Sequence, residues 1–387
     1  MTESQQQSVL FKNGRLVLPD RVAAGSVLVR SGIIASITST DLKIQPEPSK
    51  EFDLGGLTLF PGFIDVHIHG AVGVDVNGAT PDRLQQVSKF LASQGVTSWL
   101  PTLVPASDEG YQSAVVAIEQ ASSRSGARIV GLHYEGPFVN LAQCGALHKE
   151  HFKTYSGPAD LDRLPTPKGP AAKMITLAPE IDGGLELVKE LHLRGWIVSI
   201  GHTRADDRVL DQAFIVGARH MTHFMNAMPQ MHHRQPGPVS WGLSRDDVTC
   251  DLIADGIHLH PLTLRVLLRA KGYACLSLIS DAIAAAGKGD GDYQIWGEKI
   301  SVKNGRTSNA SGNIAGSVIT MLDAVRMMRS LGVSDVEVAQ MASTNPARLI
   351  KMDRDYGSIE EGKRADLVAV DDEGNVRLTV IAGEIFY

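Results

Sequence analysis

The chain is poor in cysteine: Cys144, Cys250 and Cys275 are the only three among 387 residues, and they lie far apart. Domains that depend on disulfides carry more cysteines at closer spacings, so a disulfide framework is not supported and a reducing, cytoplasmic location is expected. Cys250 and Cys275 lie in strand-like apolar runs and are predicted to be core residues. Cys144 lies in a glycine-containing loop, where a reactive thiol is possible.

Long apolar runs and an excess of basic charge are also missing. No apolar run approaches the roughly 18 residues needed to span a membrane, and no basic segment followed by an apolar one marks a signal peptide. The formal net charge is −6, so neither nucleic acid nor a membrane is expected as a partner. With 43% hydrophobic and 21% charged residues, the composition is that of a globular protein with a sizeable core.

The middle of the chain alternates between short apolar runs and amphipathic stretches. Thr80-Pro81 predicts the start of one helix, Thr203 with Asp206 the start of another, and Ser334 with Glu337 matches a capping box. Eight alternations of strand and helix predict a (β/α)8 barrel of the TIM type. The eight predicted strands are 62–68, 97–104, 129–134, 174–179, 197–201, 218–223, 250–257 and 275–280.

Both ends of the chain read as short strands separated by turn residues, without a helix-length pattern. We predict that residues 1–60 and 355–387 pair into one small, discontinuous β-sandwich domain, and that residues 61–354 form the barrel. The glycine-rich stretch 287–313 is predicted to be a short hairpin and a loop near the mouth of the barrel.

Apolar runs in the barrel region end in residues that bind metals or transfer protons. The carboxyl ends of parallel barrel strands meet at one mouth, so these side chains are expected to converge there. Imidazoles and carboxylates are typical ligands of zinc and iron. A lone histidine is more often structural, but several in one barrel pattern favour a metal centre. The residues are His67, His69, Glu135, His202, His223, His258 and Asp281.

Three of these residues have specific expectations. His67 and His69 are two positions apart on a strand, so both side chains can face the barrel interior. Asp281 could pass a proton between a water molecule and a leaving group; the alternative is a helix cap for the segment that follows. His192 and His220 lack this placement and are predicted to be structural, and His232-His233 is predicted to be a solvated loop pair.

The motifs around these residues resemble the amidohydrolase superfamily and, within it, the N-acetylglucosamine-6-phosphate deacetylases. The run Thr222-His-Phe-Met-Asn-Ala-Met228, with Glu135-Gly-Pro-Phe138 upstream, is the most specific match. The others are 61–70, 133–138, 201–203, 254–258, 280–282 and 314–317. The resemblance implies hydrolysis of N-acetyl-D-glucosamine 6-phosphate to D-glucosamine 6-phosphate and acetate by metal-activated water.

The resemblance also implies roles for individual residues. Glu135, His202 and His223 would bind the divalent zinc or iron ion that activates water, and His67 with His69 would bind a second ion. Asp281 would be the general base and then the general acid. The substrate-binding residues that it implies are His148, Asn226, Ala227, Arg234, His258 and Ile314.

Two of these assignments, Arg234 and His148, concern residues in loops. Arg234 would reach the substrate phosphate from a second subunit, so a homodimer is expected. The Gly145-Ala-Leu-His148 segment is one residue longer than the Gly-Ala-His that is usual in the family.

Two alternatives to this function remain open on sequence grounds. One is an amidohydrolase acting on a related amide, such as the galactosamine 6-phosphate epimer or a cyclic amide. The run Met174-Ile-Thr-Leu-Ala-Pro-Glu180 offers no lysine for carboxylation on the fourth strand, which disfavours the hydantoinase-like branch. The other is a barrel that has lost catalysis and serves as a binding scaffold, which the retained ligand pattern and Asp281 disfavour.

Overall fold

The computed structural model describes residues 8–38, 48–122, 124–169 and 171–386. Its strands in chain order are β1 Ser8–Val17, β2 Val22–Arg30, β3 Ile33–Thr38, β4 Lys50–Asp53, β5 Thr58–Pro61, β6 Phe63–Ile68, β7 Gly70–Ala71, β8 Val74–Asp75, β9 Val96–Leu103, β10 Arg128–Ile129, β11 Gly131–Glu135, β12 Ala172–Leu177, β13 Ile197–Ile200, β14 His220–Met221, β15 Thr249–Ile253, β16 Leu276–Ile279, β17 Gly291–Ile295, β18 Glu298–Lys303, β19 Arg306–Ser308, β20 Leu367–Val370, β21 Val376–Ile381 and β22 Glu384–Ile385.

The α-helices lie mainly between the strands of the middle region. They are α1 Pro81–Ser93, α2 Asp108–Ala121, α3 Gly184–Leu193, α4 Asp207–Ile215, α5 Pro238–Leu243, α6 Pro261–Lys271, α7 Met321–Ser330, α8 Asp335–Ala339 and α9 Asn345–Leu349. None of the helices in the described part of the chain has the length and apolar character that a membrane span needs.

Eight parallel strands form the predicted barrel. Hydrogen bonds join them in the order β6, β9, β11, β12, β13, β14, β15, β16, with β10 beside β9. The circle closes where the amide of Asp281 donates to the carbonyl of His67 at 2.9 Å and the amide of His69 donates to the carbonyl of Ala282 at 2.8 Å. The predicted (β/α)8 fold class is confirmed.

Apolar side chains from several strands pack together in the barrel. Ile64, Met174 and Ile279 belong to one buried cluster there, together with Ala347 and Ile350 around α9. All residues of β9 are buried, as expected for a parallel strand covered on both faces. This packing leaves the carboxyl ends of the strands as the place where buried polar residues collect.

Helix starts agree with the sequence at two of three predicted caps. The Thr80 side chain accepts a hydrogen bond from the amide of Arg83, and Ser334 and Glu337 form the predicted capping box of α8. The prediction for Thr203 is wrong, because α4 is capped by Asp206, whose side chain accepts from the amide of Val209. Thr203 instead donates its hydroxyl proton to Glu180.

The two ends of the chain pair into one sheet, in the order β22, β21, β20, β5, β1, β2, β3, with β4 beside β1. The contact between the ends is the antiparallel pair of β5 and β20, in which Leu59 faces Ala369. Residues 1–7 and 39–47 of the predicted small domain lie outside the described residues. The division of the chain at residues 60 and 355 stays a prediction.

The glycine-rich stretch after β16 contains more structure than the predicted hairpin. β17, β18 and β19 form a three-stranded antiparallel sheet, with Trp296-Gly297 at the first turn and Asn304-Gly305 at the second. Three predicted strands are shorter or shifted: β14 has only two residues, β15 ends at Ile253, and Cys275 precedes β16 in a short 3-10 helix. Cys275 is half-buried, so the prediction of a core residue holds only for Cys250.

Candidate metal centre and active site

The polar residues predicted at the barrel mouth all follow or end a barrel strand. His67 lies in β6 and His69 follows it, Glu135 ends β11, and His202, His223 and Asp281 each come two residues after β13, β14 and β16.

The last three residues have left-handed backbones, with φ of 48°, 31° and 50° for His202, His223 and Asp281. A positive φ is costly for a residue with a side chain and is concentrated at functional sites. At these three positions the left-handed backbone follows the end of the strand and keeps the side chain at the mouth of the barrel.

Glu135 lies at the centre of four imidazoles. Its Oε1 atom is 2.9 Å from Nε2 of His202 and 2.9 Å from Nε2 of His223. Nε2 of His67 is 3.7 Å from the same oxygen, and Nε2 of His69 is 3.3 Å from Oε2. One carboxylate therefore faces four ring nitrogens that come from three different segments of the barrel, those of β6, β13 and β14.

Asp281 adds a second carboxylate beside the first two histidines. Its Oδ1 atom is 3.2 Å from Nε2 of His69 and 3.4 Å from Nε2 of His67, and these two nitrogens are 3.1 Å apart. Two buried triads result, His67 with Glu135 and His223, and His67 with His69 and Asp281, and the ligand atoms of each triad lie within 4.8 Å of one another. His67 thus belongs to both triads.

The donor atoms of this cluster fit a metal cation. Nδ1 of His202 is 2.7 Å from the carbonyl of Gln143, and Nδ1 of His69 is 3.1 Å from the carbonyl of Thr102. A ring nitrogen beside a carbonyl must carry the proton, so Nε2 of a neutral ring presents a lone pair to the cluster. For His202 this lone pair faces the lone pairs of Glu135, an arrangement that only a cation or an added proton stabilises.

The spacing of the donors agrees with this conclusion. Zinc–nitrogen bonds of roughly 2.0–2.1 Å in a tetrahedron place ligand atoms about 3.3 Å apart. Nε2 of His202 and Nε2 of His223 are 3.2 Å apart. The family and this cluster are compatible with a bound divalent metal.

Burial and mutual contact set the protonation states. Burial is the largest influence on His67 and lowers the pKa of its imidazole well below the usual value. Burial opposes the charge on Glu135, but hydrogen bonds from His202 and His223 lower the pKa of this carboxyl well below its ordinary range. Burial also opposes a charge on His69, yet Asp281 and Glu135 raise its pKa to about 10, so a cation that binds there must displace a proton.

The cluster forms the floor of a cleft with a volume of about 170 Å³. Predicted substrate residues Asn226, Ala227, His258 and Ile314 line it, together with Gly145, Ala146, Leu147, Trp296 and Gly316. His258 is held in place by Asp255, whose Oδ2 atom is 2.6 Å from Nδ1 of His258. The backbone amides of Ile257 and His258 donate to the other oxygen of Asp255.

Two predicted site residues do not line this cleft. Nδ1 of His148 is 3.2 Å from Oε1 of Glu150, although the preceding residues of its loop reach the cleft. Arg234 lies on an exposed stretch, where its amide donates to Nδ1 of His232. Neither assignment is supported by contacts within one chain.

Sequence reasoning missed Trp296, which lines the cleft, and Asp255, which contacts His258. Asp255 could have been found from its spacing of three residues before His258 in a turn. Trp296 has no comparable signal in a glycine-rich stretch. His220, predicted to be structural, is buried with Nε2 2.9 Å from Oδ2 of Asp251 and Nδ1 2.7 Å from Oγ1 of Thr249.

Comparison with known proteins agrees with this geometry. The Amidohydrolase family matches residues 58–386. The chain is 37% identical over 393 residues to N-acetylglucosamine-6-phosphate deacetylase of Bacillus subtilis (strain 168), covering 98% of each chain. It is 36% identical over 360 residues to N-acetylgalactosamine-6-phosphate deacetylase of Escherichia coli O157:H7, covering 92% of this chain and 93% of that one.

The solved structures include a similar enzyme with its substrate. An aspartate-to-alanine mutant of N-acetyl-D-glucosamine-6-phosphate deacetylase from Mycobacterium smegmatis, in complex with N-acetyl-D-glucosamine-6-phosphate, superposes with a TM-score of 0.88. It is 28% identical, with 98% of this chain and 99% of that chain covered.

Proposed function

The chain belongs to the amidohydrolase family, and we propose from this premise that it hydrolyses N-acetyl-D-glucosamine 6-phosphate to D-glucosamine 6-phosphate and acetate. The observation that carries the proposal is the convergence of Glu135 with four imidazoles and Asp281 on one small cleft. Relatives that match over nearly the whole chain carry the name of this deacetylase.

The donor set supports an assignment of metal ligands. We assign one divalent ion, zinc or iron, to Glu135, His202 and His223, and a second to His67 and His69. When bound, such an ion polarises an amide carbonyl and makes a water molecule more acidic. Glu135 contacts both groups of imidazoles, so its carboxylate would be able to ligate either ion.

Asp281 supplies the proton transfers. As a carboxylate it takes a proton from the water molecule that attacks the acetyl carbonyl. The C–N bond breaks as the same carboxyl group delivers that proton to the departing nitrogen, which leaves as the neutral amine. The backbone on both sides of the carboxylate is fixed, because the Asp281 amide donates to the carbonyl of His67 and its carbonyl accepts from the amide of Ser317.

The other cleft residues orient the substrate. Asn226 and the amide of Ala227 are assigned to the phosphate, since backbone and side-chain amides both donate to anions. His258, held by Asp255, is assigned to the sugar, and Ile314 to the wall beside it. His148 is assigned to the acetamide carbonyl, which requires its side chain to turn away from Glu150.

A homodimer is part of the proposal. Arg234 is exposed within its own chain, and its forked guanidinium would contact the phosphate in the cleft of a second copy. We also propose a cytoplasmic location, because the three cysteines are free and the substrate is a phosphorylated sugar.

N-acetyl-D-galactosamine 6-phosphate, the galactosamine epimer, is the second candidate substrate, because the E. coli deacetylase named for it is 36% identical to this chain. Purified protein should be given both phosphorylated N-acetyl sugars separately, with release of acetate and free amine measured. The proposal expects the higher kcat/KM with the glucosamine sugar. A higher value with the galactosamine sugar would favour the epimer, and no release from either would refute the proposed function.

A further inference from the structure

Trp296 occupies a position in the fold that its local structure does not favour. It is the first of two residues joining β17 to β18, with φ of 53°, and Gly297 follows with φ of 74°. Tight hairpins of this kind prefer Asn-Gly because both turn residues need a positive φ. The next turn of the same sheet uses that pair, Asn304-Gly305.

The strained tryptophan reaches the metal cluster. Its ring meets the ring of His69 edge to face, with centroids 5.4 Å apart and planes at 88°. It also packs against an apolar cluster that includes Val104, Val139 and Leu147. The indole is therefore fixed on the side of the cleft formed by the loops after β6, β9 and β11.

The indole nitrogen of Trp296 is buried but forms no hydrogen bond of ordinary geometry within the described residues. It lies close enough to Asp75 to be a minor influence lowering the pKa of that carboxyl, which burial raises. A strained backbone in a residue that lines the cleft beside the catalytic cluster indicates a role there.

The orientation expected for the substrate in the cleft indicates which part of the substrate Trp296 would contact. The scissile carbonyl must lie beside Asp281, whose Oδ1 atom is 3.2 Å from Nε2 of His69. In the proposed assignment the sugar and phosphate would lie toward Asn226 and His258, which follow β14 and β15 on another part of the mouth. The acyl substituent leaves the carbonyl in the other direction, toward His69 and the indole.

We propose that Trp296 closes the acyl end of the cleft and restricts the enzyme to short acyl groups. This inference depends on the proposed deacetylase function and makes Trp296 a specificity-determining residue for it. The cleft volume of about 170 Å³ is below the roughly 300–1,000 Å³ common for small-molecule sites. The size of each wall residue therefore decides which acyl groups fit.

The test compares kcat/KM for N-acetyl-, N-propionyl- and N-butyryl-glucosamine 6-phosphate in the wild type, Trp296→Phe and Trp296→Ala. One methylene in a hydrophobic pocket changes kcat/KM by about 10–200-fold. We expect the propionyl-to-acetyl ratio to rise at least about tenfold in Trp296→Ala, and less in Trp296→Phe.

Tyr293→Ala is the matched control. Tyr293 is an aromatic residue of the same hairpin and packs beside it, but it does not line the cleft. An unchanged ratio in Trp296→Ala, or an equal rise in Tyr293→Ala, would overturn the inference. If the wild type hydrolyses none of the three sugars, the proposed function fails first.

A binding measurement gives a readout independent of turnover. In an Asp281→Asn background, N-acetylglucosamine 6-phosphate should change tryptophan fluorescence, because the other three tryptophans, Trp99, Trp196 and Trp241, are buried in the core. The change should disappear when Trp296 is also replaced by Phe. A fluorescence change that survives this replacement would show that the indole does not meet the ligand.

Discussion

Replacing Asp281 by Asn tests the proton-transfer step directly. The substitution keeps the size of the side chain but removes its ability to accept a proton. Because the backbone amide and carbonyl of Asp281 are both hydrogen-bonded to neighbouring strands or loops, the side chain should stay in place. The reaction then lacks a group that can both receive and return the proton.

The size of the effect follows from the position of the carboxylate. Its ionisable neighbours are His67 and His69, at 3.4 Å and 3.2 Å, and both point their Nε2 atoms at the proposed metal. Neither is free to replace Asp281 as proton carrier. Positioned acid–base groups contribute about 10²–10⁴-fold, or about 3–5 kcal/mol of barrier, so kcat should fall by that factor.

The assay is acetate release under saturating substrate, with metal content measured on the same samples. Asp372→Asn is the control, because the side chain of Asp372 is 90% exposed and its ion-pair partner is Arg15, which is not a residue of the cleft. If kcat falls while metal content is unchanged, Asp281 transfers protons. If metal content falls in parallel and added metal restores kcat, Asp281 is a metal ligand. Activity equal to wild type would show that Asp281 has neither role.

Two further substitutions test how the substrate is held. Asp255→Asn should raise KM more than it lowers kcat, because it removes the charged partner that lies 2.6 Å from Nδ1 of His258. A lower kcat with unchanged KM in steady-state kinetics would contradict a role of Asp255 in substrate binding. Arg234→Ala should raise KM for the phosphorylated sugar far more than for an unphosphorylated acetamide, and sedimentation should show the same oligomeric state as the wild type. Equal effects on both substrates would contradict a phosphate role for Arg234.

The barrel and its mouth are predictable because strand and site signals coincide in the sequence. Each apolar run indicates a strand, and the polar residue after it indicates the end of that strand, as with Glu135 after 131–134. Parallel strands place these ends at one mouth whatever their distance in sequence. For this reason the sequence alone is enough to group residues as far apart as His67 and Asp281.

Features that depend on exact turn geometry are not predictable in this way. His202 and His223 have left-handed backbones, yet neither is a glycine, so this backbone conformation could not be predicted from the residue types. Threonine and aspartate both cap helices, and only the tertiary contact of Thr203 with Glu180 leaves Asp206 as the cap of α4. Trp296 lies in the stretch 287–313, for which a short hairpin and a loop were predicted, but the sequence did not indicate that this residue would form the turn beside the cleft.

Acetate release before and after metal removal tests most directly whether the deacetylation depends on a metal bound at the barrel mouth. The protein should be assayed on N-acetyl-D-glucosamine 6-phosphate as purified, after dialysis against a chelator, and after return of zinc or iron. The same series should be run with His202→Ala, which removes one Nε2 contact to Glu135. We expect chelation to abolish acetate release, added metal to restore it in the wild type, and His202→Ala to recover poorly. Full activity in protein shown to be free of metal would contradict this expectation.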